Sequence, residues 1–584
     1  MLTPDARVVL LEQLRAPEGF AFDAGLATTF TLDLASALIP PLAFAGAAFR
    51  NRADPLSALA AVRACTEKLD IFCQVGQVAV PREHSALFSY LERMVHPVSP
   101  PAGGLFHPKI WFLRYVSTDL PSEYRLLCLS RNLTADHSWD VALRLDGVLE
   151  ARKAAAREPL GAFLRSLPAR AVSPLAHVRG ERVAALADEA SRLAWQYPEH
   201  VQEMHFHAFG VPGVRPEPDF SGYRHLAVSP FADEQGLERV TGADPKSAIV
   251  SRAETLDRLR RTWLDAHGPY FVVDTMAAQD ADAEAVLLEG LHAKAYVAER
   301  NHRAHLFVGS ANATQAAFGR NVEFLVELVA GYSKLGVAHF LDADKGLGAL
   351  LVPYEPTGDG LVPESELEQK RLENLLRSWA SKRWTVTVGG AAEPYHLDVT
   401  ADPLDIPEDV AASVELLTRR SELRALRTGH PHVAFADVVK VDVTPFLGLH
   451  LRGRSGVEVS GVVLALIVDD PEDRLDEILA AQIDTPEKFL RFLALLLNVG
   501  GPHLLQLLAG KGSGIGGPPQ LGPAPGIFEV VLQALTAAPS SIDDLDRLVR
   551  QMEITSHGMD VLPDGFLDLW RVVREAHSEL TGER

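Results

Sequence analysis

Two stretches of this 584-residue chain carry the same polar set in the same order. Within residues 291–328 (LHAKAYVAERNHRAHLFVGSANATQAAFGRNVEFLVEL), His292 and Lys294 stand two apart, followed by Ser310, Asn312 and Glu323. Within residues 106–145 the order returns as His107, Lys109, Ser130, Asn132 and Asp140. Histidine near neutral pH serves as nucleophile or as general acid and base. A lysine two residues along an extended chain faces the same side as the histidine and offers a point charge to a phosphate oxygen. The asparagines supply amide donors for the same anion, and Glu323 or Asp140 can accept a hydrogen bond from a histidine's second ring nitrogen and so fix its tautomer. Two such sets would surround a phosphodiester. One histidine would attack phosphorus and the other would protonate the leaving oxygen, with the cations coming from the protein, so that no metal or cofactor is expected.

The elements that must place these groups alternate between strand and helix. Residues 27–34 and 69–80 read as strands, and 38–49, 56–68 and 83–94 as helices. Residues 109–113 and 124–129 form a strand pair with the turn 118–122 between them. His107 and Lys109 thus open one strand, and Ser130 and Asn132 follow its neighbour. Residues 151–200 read as helical. A second lobe restarts near 201, with strands at 226–231, 247–250 and 270–273, and one helix over 253–263 carrying Arg258, Arg260 and Arg261. The strand, turn, strand, Ser-x-Asn-x-Thr order then repeats over 294–314, about 185 residues on, too long a period for a solenoid. The expected domains are 1–200, 201–360 and 361–584. The last combines a charged helix at 364–379, strands at 384–388, 396–400, 438–443 and 457–467, a capped helix from 484, a Gly/Pro-rich linker at 509–526 and terminal helices.

The formal net charge of −21 argues against a surface coated for nucleic acid, so any such face must be local. The three cysteines are not paired in CxxC spacing and read as buried thiols. No basic leader with an apolar run and no 18-residue apolar stretch appears, and the expected location is the cytoplasm.

The repeated set resembles the two catalytic motifs of the phospholipase D superfamily. The second copy, HAK, then GSAN, then Glu323, is the closer; the first reads HPK, LSRN and SWD. The superfamily's acidic residue five positions after the lysine is Arg114 in the first copy and Glu299 in the second, a loss that resembles the tyrosyl-DNA phosphodiesterase branch. The resemblance spans roughly residues 20–340. It implies an α/β fold of two pseudo-twofold lobes with mixed sheets flanked by helices, beside a C-terminal α+β region. It implies a phosphohistidine intermediate, with His107 as nucleophile and His292 as acid. It further implies a nuclease or DNA-end-processing activity of the kind that serves bacterial restriction or phage defence beside a helicase; a phospholipase or phosphatidyl transferase, or a non-catalytic nucleic-acid-binding module, is the alternative.

The sequence signal for DNA as partner is the segment 419–454. Arg419, Arg420, Arg424, Arg427, Arg452 and Arg454 form a candidate phosphate-contacting face there, read as a helix and strand. GKGSG at 510–514 lacks the spacing of a phosphate-binding loop. His430 with His432, and His205 with His207, have no partner cysteines or HExxH context for a metal. Asp33, Gln74 and Gln77 lie on first-lobe strands and are read either as reaching the site or as buried polar residues of the core.

Overall fold

The computed structural model describes residues 10–44 and 62–480, apart from 83–84, 102, 136–137, 151–156, 215–216, 275–289, 345 and 421, together with parts of 483–581. The first lobe is built on a seven-stranded sheet in the spatial order Val95–Val98, Leu69–Gln74, Ala21–Thr29, Ile110–Val116, Glu123–Leu129, Ala142–Leu149 and Leu193–Trp195. The second repeats that order as Tyr270–Val273, Ala248–Val250, Arg224–Val228, Ala295–Arg300, Arg303–Gly309, Glu323–Gly331 and Glu203–Phe209, with Leu351–Pro353 added at the far edge. Strand directions match as well. Ala21–Thr29 and Arg224–Val228 each run parallel to one neighbour and antiparallel to the strand that follows an HxK triplet. The chain crosses between lobes through Leu193–Trp195 and Glu203–Phe209, the matching end strands of the two sheets.

Alternation along the strands sorts the side chains. Ile110 and Phe112 join a core shared by both lobes, whereas Trp111, Leu113 and Tyr115 point into a core that the first lobe shares with Leu417, Phe446 and Val462 of the C-terminal region. Ala295 and Val297 of the second lobe enter the same shared core, and Tyr296 enters the second lobe's own. Rings meet across the seam: Phe163 lies 5.3 Å from Phe324, and Trp195 lies 6.0 Å from Phe206. With both sheets contributing to one dry core, the lobes are packed as one body rather than tethered.

Helix Glu364–Ala380 leads into two sheets that enclose a fourth core. One is ordered His432–Val438, Tyr395–Ala401, Trp384–Gly389, Leu466–Val468. The other runs Leu32–Asp33, Val78–Ala79, Glu458–Leu464, Phe446–Gly453, Val410–Leu416, Arg424–Ala425, so that two short first-lobe strands extend a C-terminal sheet, with Val78 opposite Val462.

Several sequence expectations are corrected. Residues 151–200 are not helical throughout: after Glu158–Ser166 and His177–Ala190 they end in strand Leu193–Trp195, which completes the sheet. The single helix over 253–263 is two short ones, Ala253–Leu256 and Arg261–Leu264. Between them the Asp257 carboxylate and the Asp257 and Leu259 carbonyls bind residues 354–360 instead of continuing a helix. Residues 86–93 form a 3-10 helix held to the C-terminal region by Tyr90 and Glu92. The strand expected at 438–443 ends at Val438, past Asp437 at φ +53°, and Lys440–Asp442 is a 3-10 turn. The region 419–427 forms no helix; Arg424–Ala425 is a short edge strand. The strands Ala142–Leu149 and Glu323–Gly331, which carry the segments after Asp140 and from Glu323, went unread. The linker at 509–526 and most of the helix from 484 lie outside the described residues.

Candidate active site

The two HxK segments enter the site alike. Phe106 bridges to Val322 and Leu291 bridges to Trp139, each pairing one lobe with the other in parallel. The His107 amide donates to the Val322 carbonyl at 2.9 Å, and the His292 amide to the Trp139 carbonyl at 2.8 Å. Residues 107 and 292 are thus fixed at the lobe boundary, just ahead of strands Ile110–Val116 and Ala295–Arg300.

The carboxylates cross. His107 Nδ1 lies 3.0 Å from Glu323 Oε2 of the second lobe, and His292 Nδ1 lies 3.1 Å from Asp140 Oδ1 of the first. Each carboxylate is then anchored within its own lobe. Ser310 Oγ donates to Glu323 and accepts from the Phe324 amide at 3.0 Å. Ser130 Oγ donates to Asp140 at 3.0 Å and accepts from the Val141 amide at 2.8 Å. A residue two before each carboxylate adds a further donor: Asn321 Nδ2 to Glu323 at 3.1 Å and Ser138 Oγ to Asp140 at 3.3 Å. The shorter interval from Asn132 to Asp140 therefore reaches the same geometry as the longer one from Asn312 to Glu323.

Lys109 and Lys294 are fully buried, and each Nζ donates to the carbonyl of its own histidine, His107 or His292, at 2.8 Å. Burial drives Lys109 well below the ordinary lysine range and Lys294 down to about 7, and the two cations repel across the lobe boundary. Burial also pushes His107 down to about 4 against the pull of Glu323, and lowers His292 against the pull of Asp140. For Glu323 burial acts upward, but His107, Lys109 and Ser310 outweigh it and keep the carboxylate charged. His107 therefore rests as a neutral imidazole that donates from Nδ1 to Glu323, which leaves its Nε2 lone pair available.

Asn132 and Asn312 sit on equivalent loops. Thr29 Oγ1 accepts from the Leu133 amide at 3.0 Å, and Ser229 Oγ from the Ala313 amide at 2.9 Å. Each asparagine buries an amide oxygen that finds no donor, the same orphan in both lobes and the mark of a polar group that a ligand would satisfy. Turning the amide about its last torsion would present its NH2 to an anion.

Eight of the ten residues of the two sets are thus joined at one boundary, and Asn132 and Asn312 lie on the matching loops beside it. Of the residues that brace them, sequence reasoning offered Gln74 but not Phe30. Gln74 Oε1 accepts from the Phe106 amide at 2.6 Å, and Phe30 stands edge-on to His107 at 5.2 Å. Asp33 caps helix Leu34–Ala37 and does not join the site. The two positions of the missing acid are structural. Arg114 pairs with Asp23 at 2.6 Å and Glu189 at 2.8 Å, and Glu299 accepts from the Val337 amide at 2.7 Å.

The six arginines of the proposed nucleic-acid face are not brought to the histidines: none is hydrogen-bonded or ion-paired to a site residue. Arg419 donates to the Ala436 carbonyl at 2.7 Å, Arg420 to the Arg82 carbonyl at 2.7 Å, Arg424 pairs with Glu422 at 3.2 Å and Arg452 with Glu458 at 3.4 Å. Arg427 and Arg454 are exposed. The weaker arginine group is neutralised: Arg258 pairs with Glu366, Arg260 with Glu234 and Arg261 with Asp265. His430 and His432 line a shallow surface cavity of about 330 Å³, while His207 contacts Glu327 at 2.8 Å. Among the described residues no group of three His, Cys, Asp or Glu side chains is placed to hold a metal, and no helix is long and apolar enough to cross a membrane.

No protein-family model and no curated protein matches this sequence. Solved structures do. The chain is similar to yeast tyrosyl-DNA phosphodiesterase at 12% identity, over 59% of this chain and 93% of that one, with a TM-score of 0.38. It is similar to phosphatidylserine synthase of Haemophilus influenzae at 10% identity, over 64% and 90% of the two chains, with a TM-score of 0.33. Polyphosphate kinase of Porphyromonas gingivalis matches at 10% identity, over 63% and 51%, with a TM-score of 0.30. At these scores none of the three decides what the site acts on.

Proposed function

We propose that the chain is a phosphodiesterase working through a phosphohistidine. The observation that carries the proposal is the pair of histidines, each held through Nδ1 by a carboxylate of the opposite lobe, beside two buried lysines. His107 Nε2 attacks phosphorus as the bond to the leaving oxygen breaks, and His292, protonated on Nε2, gives that oxygen its proton. Neutral His292 then takes a proton from water as the water attacks phosphorus. The P–N bond breaks and His107 returns to its starting form. Lys109 and Lys294 face the charge on the non-bridging oxygens. Their lowered proton affinity means that an arriving anion restores their charge, so binding takes up protons where they were neutral.

For substrate we propose DNA, cut or trimmed at an end. The support is the His-Lys-Asn motif style; of the six arginines, Arg424, Arg427, Arg452 and Arg454 are exposed, and Arg424 and Arg452 are paired with Glu422 and Glu458. A place in restriction or phage defence beside a helicase rests on the same resemblance. The test is incubation with labelled single- and double-stranded DNA in EDTA, with phospholipid vesicles in parallel and His107→Ala and His292→Ala as controls. DNA cleavage lost in both variants is the expected result. Turnover of lipid alone replaces the substrate, and DNA binding without cleavage by fresh wild-type protein overturns the enzyme reading.

A further inference from the structure

The lobes differ at one topologically matched position. Gln74 ends the strand parallel to the central one and Arg252 follows the matching strand Ala248–Val250, and both hold the residue before a site histidine. Gln74 accepts from the Phe106 amide and spends its NH2 on the Val75 carbonyl at 3.1 Å, so it is buried and satisfied. Arg252 instead donates from Nε to the Leu291 carbonyl at 2.9 Å. Its guanidinium lies 4.8 Å over the ring of Phe231, which is 48% exposed. Among the described residues the terminal nitrogens of Arg252 have no acceptor. The aromatic of the first lobe is used differently: Phe30 closes over His107 and lies 5.8 Å from Lys109 Nζ.

We propose that Arg252 and Phe231 form the subsite for the leaving group, with the guanidinium taking a phosphate oxygen and the exposed Phe231 ring taking a nucleobase of a single strand. This rests on the assignment of His292 as the acid, because the group that receives its proton must lie on the second lobe's side. The chemistry fits. An arginine held at Nε keeps its terminal N–H fork for an anion, and a ring already fixed on one side by a cation loses little freedom when a base stacks on it. The Leu291 contact also places this fork next to the histidine, so a strand held there is aligned with the scissile bond.

The test is binding of a fluorescein-labelled oligothymidylate of about ten residues, followed by anisotropy over a range of salt, for wild type, Arg252→Gln and Phe231→Ala. Arg252→Gln installs the first lobe's side chain. Stacking on an aromatic is worth about 5- to 150-fold per base, and Phe231→Ala should weaken binding within that range. Arg252→Gln should weaken it about tenfold and reduce the slope of log K against log salt by about 0.7, the loss of one phosphate contact, which a merely structural pin would not change. Unchanged affinity in either variant, an unchanged slope in Arg252→Gln, or no binding by wild type overturns the subsite. Wild-type binding with the expected changes but no cleavage leaves the subsite standing and overturns the catalytic reading, so the two failures are told apart.

Discussion

In the first-lobe half of the site, the His107 side chain is 11% exposed, its carboxylate partner Glu323 is fully buried, and Phe30 lies against the ring. In the second-lobe half, the His292 and Asp140 side chains are 18% and 17% exposed, and the aromatic beside Arg252 faces outward. Equal strand order and equal hydrogen-bond wiring thus end in one enclosed and one open histidine. Enclosure suits a nucleophile, whose phosphoryl adduct must be kept from water until the leaving group departs. Openness suits the group that hands a proton to a departing alcohol and later receives one from water. Pseudo-symmetry in the backbone thus leaves a difference in burial on which the proposed roles of His107 and His292 can be tested.

The largest expected effect comes from removing the histidines. His107→Ala should lose about 10⁴-fold or more in kcat on any phosphodiester, since no covalent step remains. His292→Ala should lose about 10²–10⁴-fold with an alkoxide leaving group and far less with p-nitrophenolate, which needs no proton. It should also accumulate a stable phosphohistidine, visible by mass spectrometry of the intact protein. The adduct on His292 in His107→Ala would exchange the two roles.

Next are the crossed carboxylates. Glu323→Gln should cost about 10²–10⁴-fold, because an amide in that buried place favours the wrong tautomer of His107. Asp140→Asn, in the wetter half, should cost about 10–100-fold. Equal losses would remove the distinction between enclosed and open halves.

Lys109→Met and Lys294→Met should abolish turnover yet stabilise the fold by about 1–4 kcal/mol in urea denaturation, because each deletes a buried cation held at a desolvation cost. Destabilisation by either would mean that its bond to the histidine carbonyl outweighs that cost.

The smallest effect is on pH dependence. Lys294, lowered by burial to about 7 from the ordinary 10.5, binds fewer protons folded than unfolded between those values, so stability should rise with pH across that window. Lys294→Met should flatten the rise. His107, lowered by burial to about 4 from 6.5, should make stability fall as pH drops through its own window. A wild type whose urea midpoint does not move between about pH 7 and pH 9.5 would contradict the lysine shift.

The sequence exposed what depends on residue type and short spacing. His, Lys, Ser, Asn and the acid recur in order, and the strands expected at 109–113 and 124–129 show as short apolar runs. It hid what depends on long-range placement. Nothing local says that Glu323 serves His107 rather than His292, because that is decided by where the two lobes' edges meet, at Phe106 opposite Val322 and Trp139 opposite Leu291. Strand Glu323–Gly331 is buried along nearly its whole length, so it lacks the polar alternation that announces a half-exposed strand. Gln74 and Arg252 were not matched because their likeness lies in what they touch. The arginine group at 419–454 looked like a free basic face because its acceptors, the Arg82 and Ala436 carbonyls and Glu458, are remote in sequence or on a neighbouring strand.

The crossed carboxylates make the site an interlock. Glu323 cannot reach His107, nor Asp140 His292, unless the two sheets stand in register, so a slip of one lobe against the other would unseat both histidines in the same movement. Neither histidine then keeps its carboxylate partner unless the lobes are docked. The same wiring means that either lobe expressed alone would carry a histidine with no orienting acid and an acid with no histidine, and that mixing the two would restore both at once or neither.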